Sequence, residues 1–340
     1  MRTVRIALAG VGNVGRGFLQ LMRDKGDIVR ERYGLDMVLV SAADRSGVVL
    51  DAGGIDAAAL LRLKESGVGV AGYAGGRPGE GPVAALDGAD VLLESTLTDL
   101  KTGQPGLDVM RVALERGMDV VSANKGPLVL AYADLTARAK AAGRQLRFSA
   151  AVCSGLPTVN IGRRDLVAAN IDRMEGIFNS TTNYILEAMA TGASFADALA
   201  EAQRVGVAET DPSLDIEGWD TANKLVILAN SVLGVPATLD TVQVQGIQGI
   251  GASDIQAAQG AGQALRLLAT ALRRSDGGYD LSVRPTILPG DHPMAKVHGW
   301  QMGIVYYTDI MGVLSAAVDE FGPLPTGAAM LRDVIDIYSA

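Results

Sequence analysis

A compact apolar run, Val4 to Ala9, passes straight into Gly10, Gly12 and Gly15 in Gly-x-Gly-x-x-Gly spacing, and a stretch that reads as helix continues toward Tyr33. Few folds accept a strand, a glycine turn and a helix in that order. Gly10 permits the tight turn, Gly12 lets the backbone approach a pyrophosphate, and Gly15 allows the helix to lie close on the strand. The helix N-terminus offers unpaired amides and the positive end of its dipole to an anion. Val11, Asn13 and Val14 complete the loop. Such turns also occur in units that bind nothing, but here a second strand, Met37 to Ala42, follows and ends in Ala43, Asp44 and Arg45. Asp44 suits the ribose hydroxyls of NAD and Arg45 the 2′-phosphate of NADP, so the two neighbours point in opposite directions.

The alternation continues. Val91 to Glu94, Asp119 to Ser122 and Leu146 to Ala151 read as strands, with helices at Leu107 to Arg116 and at Leu128 to Ala142, the latter capped by Gly143. Strand and helix alternating throughout imply a parallel sheet covered on both faces. Ligands of such sheets bind outside the carboxyl ends of the strands, which assigns Ser95, Thr96, Asn124 and Lys125 to the cofactor site. The glycine-rich stretch 46–82 predicts a helix at Asp56 to Ser66 and then a long loop, either a lid near the cofactor or a disordered segment.

After Pro157 longer helices are interspersed with isolated strands. Helices are expected at Phe195 to Val205 and Ile255 to Arg274, strands near Arg173 to Phe178, Asp280 to Pro285 and Ile304 to Thr308, and a last helix from Thr326. The pivotal stretch is Ala208 to Asn230, where an acidic loop carrying Glu209, Asp211 and Asp215 precedes an apolar helix. From Trp219 to Leu233 its only charged residues are Asp220 and Lys224, four apart and therefore on one face. An exposed pair of this kind is ordinarily a solvated salt bridge. This helix is too apolar to lie on a surface, so the pair must be matched by neighbours or by a ligand. A cationic or hydroxylated small molecule fits the loop's acidity.

At 340 residues and 48% hydrophobic, the chain suits two domains, expected at 1–150 with the last helix (about 324–340) and at 151–323. A net charge of −8 and a pI near 4.9 argue against nucleic acid, whose phosphates need a basic face. One cysteine, Cys153, excludes an intramolecular disulfide, fits a reducing compartment and reads as a small buried residue. With His292 and His298 the only histidines, no His/Cys zinc site can be built. The N-terminus reads as a strand and not as a signal peptide, and no segment approaches a membrane span, so a cytoplasmic location is expected.

EGIFNSTTNYIL (Glu175 to Leu186), GVAETDPSLDIEGWDTANKLVILA, VVSANKGPL (Val120 to Leu128) and GVGNVG together resemble homoserine dehydrogenase, from about residue 4 to about 335. The resemblance implies a Rossmann-type α/β nucleotide domain, on which the last helix packs, and an α+β substrate and dimerisation domain. It implies an NAD- or NADP-dependent interconversion of L-homoserine and L-aspartate 4-semialdehyde, a step of threonine, methionine and isoleucine biosynthesis, by a homodimer. Glu209 and Asp215 then hold the amino and hydroxyl ends of the substrate, Asp220 orients near the reacting oxygen, and Lys224 or Lys125 moves the proton. Two cations converging there would depress each other's pKa and make a neutral amine accessible. Asn179, Thr181 and Thr182 of NSTTN suit the substrate carboxylate or the nicotinamide amide, or else form a strand-to-helix turn capped by Thr182. Ser180 stands where the family has glycine. Members of the family hold a cation with carbonyls after a strand and a glutamate; here the stretch is SAAVCSGLP, with Ser149 at the glutamate's place, which leaves the metal unknown. The chain ends without room for the regulatory domain of longer members, so feedback control through such a domain is expected to be absent. A sister dehydrogenase for another amino alcohol or semialdehyde, and a nucleotide sensor without turnover, are the alternative readings.

Overall fold

In the computed structural model, which describes residues 1–339, the chain divides into two compact units: residues 1–155 with 322 onward, and 156–321. The first unit is built on a seven-stranded sheet of β1 (Arg2–Ala9), β2 (Leu35–Asp44), β3 (Gly47–Leu50), β4 (Arg77–Pro78), β5 (Val91–Glu94), β6 (Asp119–Ser122) and β7 (Leu146–Arg147). Its order is β4-β3-β2-β1-β5-β6-β7. β1 pairs in parallel with β2 on one side and β5 on the other, so the chain reverses its direction of travel across the sheet at β1. Ligands of open α/β sheets bind at such a switch point. Val4, Ile6 and Leu8 are fully buried and join Phe18 and Leu19 of the helix Asn13–Tyr33 in the main core. Met330, Val334 and Tyr338 of the helix Leu324–Tyr338 complete that core, so the end of the chain belongs to this unit. Ala340 lies outside the described residues.

The parallel sheet is not extended in parallel on the β2 side. β3 and β4 add as antiparallel strands on either side of the expected helix, found at Ala57–Glu65, and β4 falls in the loop read above as a lid or disorder. Two glycines there serve close approach: an added Cβ would sit 2.1 Å from the Arg77 carbonyl oxygen at Gly47 and 2.2 Å from the Ala71 carbonyl oxygen at Gly76. The strand expected at Leu146 to Ala151 stops at Arg147, after which Ser149–Ala151 form a 3₁₀ turn.

The second unit carries a six-stranded sheet of β8 (Ile171–Ile177), β9 (Val242–Val244), β10 (Gln263–Arg273), β11 (Tyr279–Pro289), β12 (Met302–Thr308) and β13 (Gly312–Val318), ordered β13-β12-β8-β10-β11-β9 and antiparallel except for β11 with β9. The helix expected over Ile255 to Arg274 is instead a helix Ala252–Gly260 followed by the central strand β10. Its Ala- and Leu-rich sequence favours helix locally, but Leu267, Leu268, Ala269 and Ala271 are buried between paired neighbours, and tertiary packing overrides propensity. No helix among the described residues is long and apolar enough to cross a membrane.

Candidate functional site

In the second unit β8 ends at Ile177 and the chain turns at Asn179 into the helix Ser180–Ala190. Asn179 is the cap, not Thr182: its side-chain oxygen accepts from the Thr182 amide at 2.9 Å. The freed end of the same side chain does the organising. Asn179 Nδ2 donates to Asp215 at 2.7 Å and to Asp220 Oδ2 at 2.9 Å, bridging two carboxylates. Lys224 Nζ donates to that same Asp220 oxygen at 2.7 Å and to the Phe178 carbonyl at 2.5 Å. The helix Trp219–Leu228 that carries the pair is buried along nearly its whole length, and Asp220 is 8% exposed. This is the buried, matched pair that the apolar sequence demands, held in four polar side chains from three segments.

Its electrostatics are biased. Burial, and then the charge of Asp220, push the Asp215 carboxyl above its usual range against the Asn179 hydrogen bond and the positive charge of Lys224. Thr181 Oγ1 donates to the Val207 carbonyl at 3.0 Å, tying the acidic loop to the capped helix. Glu209 is exposed, and nothing in the geometry joins its carboxylate to the cluster. Phe178, whose carbonyl receives Lys224, had no signal in the sequence, because any residue can supply a carbonyl.

In the first unit the three glycines divide their work. Gly10 takes φ +92°, and a Cβ there would fall 2.3 Å from the Ser95 carbonyl oxygen; at Gly15 it would fall 2.1 Å from the Gly10 oxygen. At Gly12 a Cβ would meet nothing within 4 Å. The first two are therefore required by the fold, whereas Gly12 keeps open the space in front of the helix. The helix Asn13–Tyr33 has no side-chain cap at its N-terminus. Unpaired amides, open space and a positive dipole end fit a dinucleotide pyrophosphate. Val11 is buried beneath the turn, Asn13 is exposed and accepts from Arg16 at 2.6 Å, and Val14 packs against the core.

At the end of β2, Asp44 is already engaged. It accepts from the Ser46 amide and hydroxyl at 2.8 and 2.6 Å, from the Val70 amide at 3.1 Å, and from Lys64. Burial pushes its carboxyl up, but these donors together hold it below its ordinary range. Arg45 is exposed. Lys64, twenty positions away, was not legible as its partner.

A further acid escaped the sequence reading. Glu94 is wholly buried at the end of β5, and burial pushes its carboxyl up while Thr96, Ser122 and Asn124 oppose this. It accepts from the Thr96 amide at 2.9 Å and from Ser122 Oγ at 2.9 Å. Asn124 Nδ2 lies 3.3 Å away, and Asn124 Oδ1 caps the helix that begins at Lys125 by accepting from Gly126. Ser95 Oγ donates to the Gly10 carbonyl at 2.8 Å. Glu94 thus fastens together the ends of β5 and β6, where Ser95, Thr96, Asn124 and Lys125 stand. Its signal is an acid closing an otherwise apolar strand, VLLE.

The cation that the family resemblance implies does not fit the Ser149 turn. Ser149 offers a neutral hydroxyl, and Arg332 Nη2 already donates to it at 3.1 Å while Nη1 donates to the Gly155 carbonyl at 3.1 Å. No cluster of three His, Cys, Asp or Glu suited to a metal exists among the described residues.

The comparisons with known proteins point to a single family. The family model described as homoserine dehydrogenase matches residues 157–335. The chain is 34% identical to the NAD(+)-dependent homoserine dehydrogenase of Pseudomonas canavaninivorans, over all of this chain and 97% of that protein. It is 35% identical to the homoserine dehydrogenase of Methanocaldococcus jannaschii, over 98% of each. A hyperthermophilic archaeal homoserine dehydrogenase in complex with NADPH superposes with a TM-score of 0.85 at 26% identity, covering 99% of this chain and 98% of that one. With its strand–glycine–helix turn and its buried Asp220–Lys224 pair, the chain belongs to the homoserine dehydrogenase family.

Proposed function

We infer that this chain interconverts L-homoserine and L-aspartate 4-semialdehyde with NAD or NADP. The observation that carries the reading is the Asn179–Asp215–Asp220–Lys224 cluster, because a non-catalytic nucleotide binder has no use for a buried, proton-bearing pair beside a second acid. The names of the relatives support both cofactors, NAD(+) in one and NADPH in another. When bound, the nicotinamide supplies a hydride acceptor for the alcohol carbon, and the hydroxyl proton must leave as the carbonyl forms.

The chain's own residues deal with that proton and with the polar ends of the substrate. Lys224, held by Asp220 and the Phe178 carbonyl, exchanges a proton with the reacting oxygen, while Asp220 fixes the lysine ammonium's direction. Lys125, at the first position of its helix, is the second candidate for this proton. Asp215 and Glu209 receive the amino and hydroxyl ends, and Asn179, Thr181 and Thr182 bind the substrate carboxylate or the nicotinamide amide. Gly10 to Gly15, Ser95, Thr96 and Asn124 serve the dinucleotide, and Asp44 and Arg45 its ribose.

We also take the protein to be a cytoplasmic homodimer. Its sole cysteine is buried, and β13 leaves an uncharged sheet edge available to a second chain.

The test mixes purified protein with homoserine and each cofactor in turn and follows nicotinamide absorbance. Homoserine-dependent reduction is expected with at least one cofactor, and Lys224→Ala and Asp220→Ala should each lower turnover by ~10²-fold or more with the fold intact. No homoserine-dependent change with either cofactor sinks the reading. Near wild-type turnover in either variant removes that residue from the proton path.

A further inference from the structure

We propose that Arg332 is a built-in cation that replaces a bound metal ion at the turn Ser149–Gly155. The turn is demanding: Cys153 and Ser154 adopt left-handed φ values of 57° and 53° in succession, a conformation that L-residues adopt only when the surroundings hold it. The helix Leu324–Tyr338 does the holding. Ser149 donates its amide to Asp333 Oδ2 at 2.9 Å and its hydroxyl to Asp333 Oδ1 at 2.7 Å. Ser154 Oγ meets Thr326 Oγ1 at 2.6 Å. Arg332 completes the set, its two terminal nitrogens each 3.1 Å from an acceptor, Ser149 Oγ at the start of the turn and the Gly155 carbonyl at its end.

The hydrogen-bond directions are consistent. Ser149 spends its single hydroxyl proton on Asp333, which turns a lone pair toward the guanidinium. Asp333 is 1% exposed and is the carboxylate that balances the guanidinium, although burial pushes its own carboxyl up. A metal ion at this turn needs anionic or carbonyl oxygens, and both ends of the turn are already committed to a positive group. An added cation would also stand against the guanidinium. Arginine suits the task because its fork is planar, permanently charged and weakly hydrated, so two donors reach two fixed acceptors at once. The consequence differs from that of a bound ion. A covalently attached cation cannot dissociate, so the turn should be indifferent to the ionic composition of the solvent.

The experiment measures melting temperature as well as turnover, so it reports even if the substrate assignment fails. Wild-type protein is treated with a chelator and dialysed into choline chloride, then compared in sodium, potassium, magnesium and calcium chloride at equal ionic strength. Melting temperature and turnover should agree among these salts, turnover to within about twofold, with no metal retained by elemental analysis. Arg332→Ala should melt roughly 5 °C lower, on the usual scale for losing charge-assisted hydrogen bonds. Low-millimolar guanidinium should recover part of that loss, and Arg332→Lys should fall between. A saturable rise in the wild-type melting temperature with one of the metal ions, or stoichiometric metal after chelation, overturns the proposal. So does an Arg332→Ala protein that melts like wild type, or a loss that neither guanidinium nor Arg332→Lys recovers. If Arg332→Ala fails to fold, the wild-type salt series and Arg332→Lys still decide.

Discussion

At the scale of single residues the site holds more negative charge than its surroundings welcome. Asp215 lies close enough to Asp220 for one asparagine amide to bridge them, and burial and that neighbouring charge raise its pKa. A carboxyl whose folded pKa lies above its unfolded value, near ~3.9, binds its proton more tightly in the folded state. The stability it contributes is present below that unfolded value and is lost as pH rises through the folded one. Asp215→Asn should therefore melt a few degrees above wild type near neutral pH, with the difference vanishing toward pH ~4, while its affinity for homoserine falls. Stability relinquished for a charged site is a common trade. Melting curves across that range check it; a difference that does not change with pH means that the charge of Asp215 is not what strains the site. Asp220 and Lys224 were legible because i,i+4 spacing and an apolar helix leave a buried pair as the only outcome. Arg332 with Ser149, and Lys64 with Asp44, were not, because each partner arrives from a distant part of the chain.

At the scale of elements the glycine turn separates folding from binding. Gly10 and Gly15 have backbone atoms within 2.3 and 2.1 Å of where a Cβ would lie, so alanine at either position must move the strand end, the helix or the Ser95 loop. Gly12 faces open space. Gly10→Ala and Gly15→Ala should consequently lower the melting temperature, whereas Gly12→Ala should melt like wild type and bind NAD or NADP at least ~10-fold more weakly, a methyl group having entered the pyrophosphate's approach. Dinucleotide titration by fluorescence, beside thermal melts, makes the comparison; unchanged affinity in Gly12→Ala would place the pyrophosphate elsewhere. The same turn shows why the first half of the fold was readable. Strand, turn and helix there are set by neighbours in sequence. β10 was misread because GQALRLLATALR favours helix locally and becomes a strand only by pairing with β11, its hairpin neighbour, and with β8, which lies about ninety positions back along the chain. In the stretch 46–82 the helix was legible, but β3 and β4 were not, for a related reason: each is a strand only through pairing with a partner, and Gly47 and Gly76 mark close backbone approach there.

At the scale of the whole molecule the open question is what meets the outer strand of the second sheet. β13 pairs with β12 on one side only, and its sequence, GVLSAAV, contains no charged residue and no proline. Such an edge is a template for another chain, and monomeric proteins usually guard it with a lysine, a proline or a bulge. Beside it Ile310, Met311 and Val313 are 64%, 48% and 60% exposed, so the strand and the turn before it present apolar side chains together with unpaired backbone groups. A net charge of −8 would by itself keep copies apart, which makes an uncharged edge the more telling. We expect sedimentation to find a dimer at micromolar concentration. Val313→Lys, which adds the missing guard without touching a buried side chain, should shift the protein toward monomer by raising the dissociation constant about 10-fold or more, with circular dichroism unchanged. If the wild type is already monomeric at that concentration, the homodimer is wrong. If Val313→Lys remains as dimeric as the wild type, the protein pairs through another surface and the edge of β13 is simply left open.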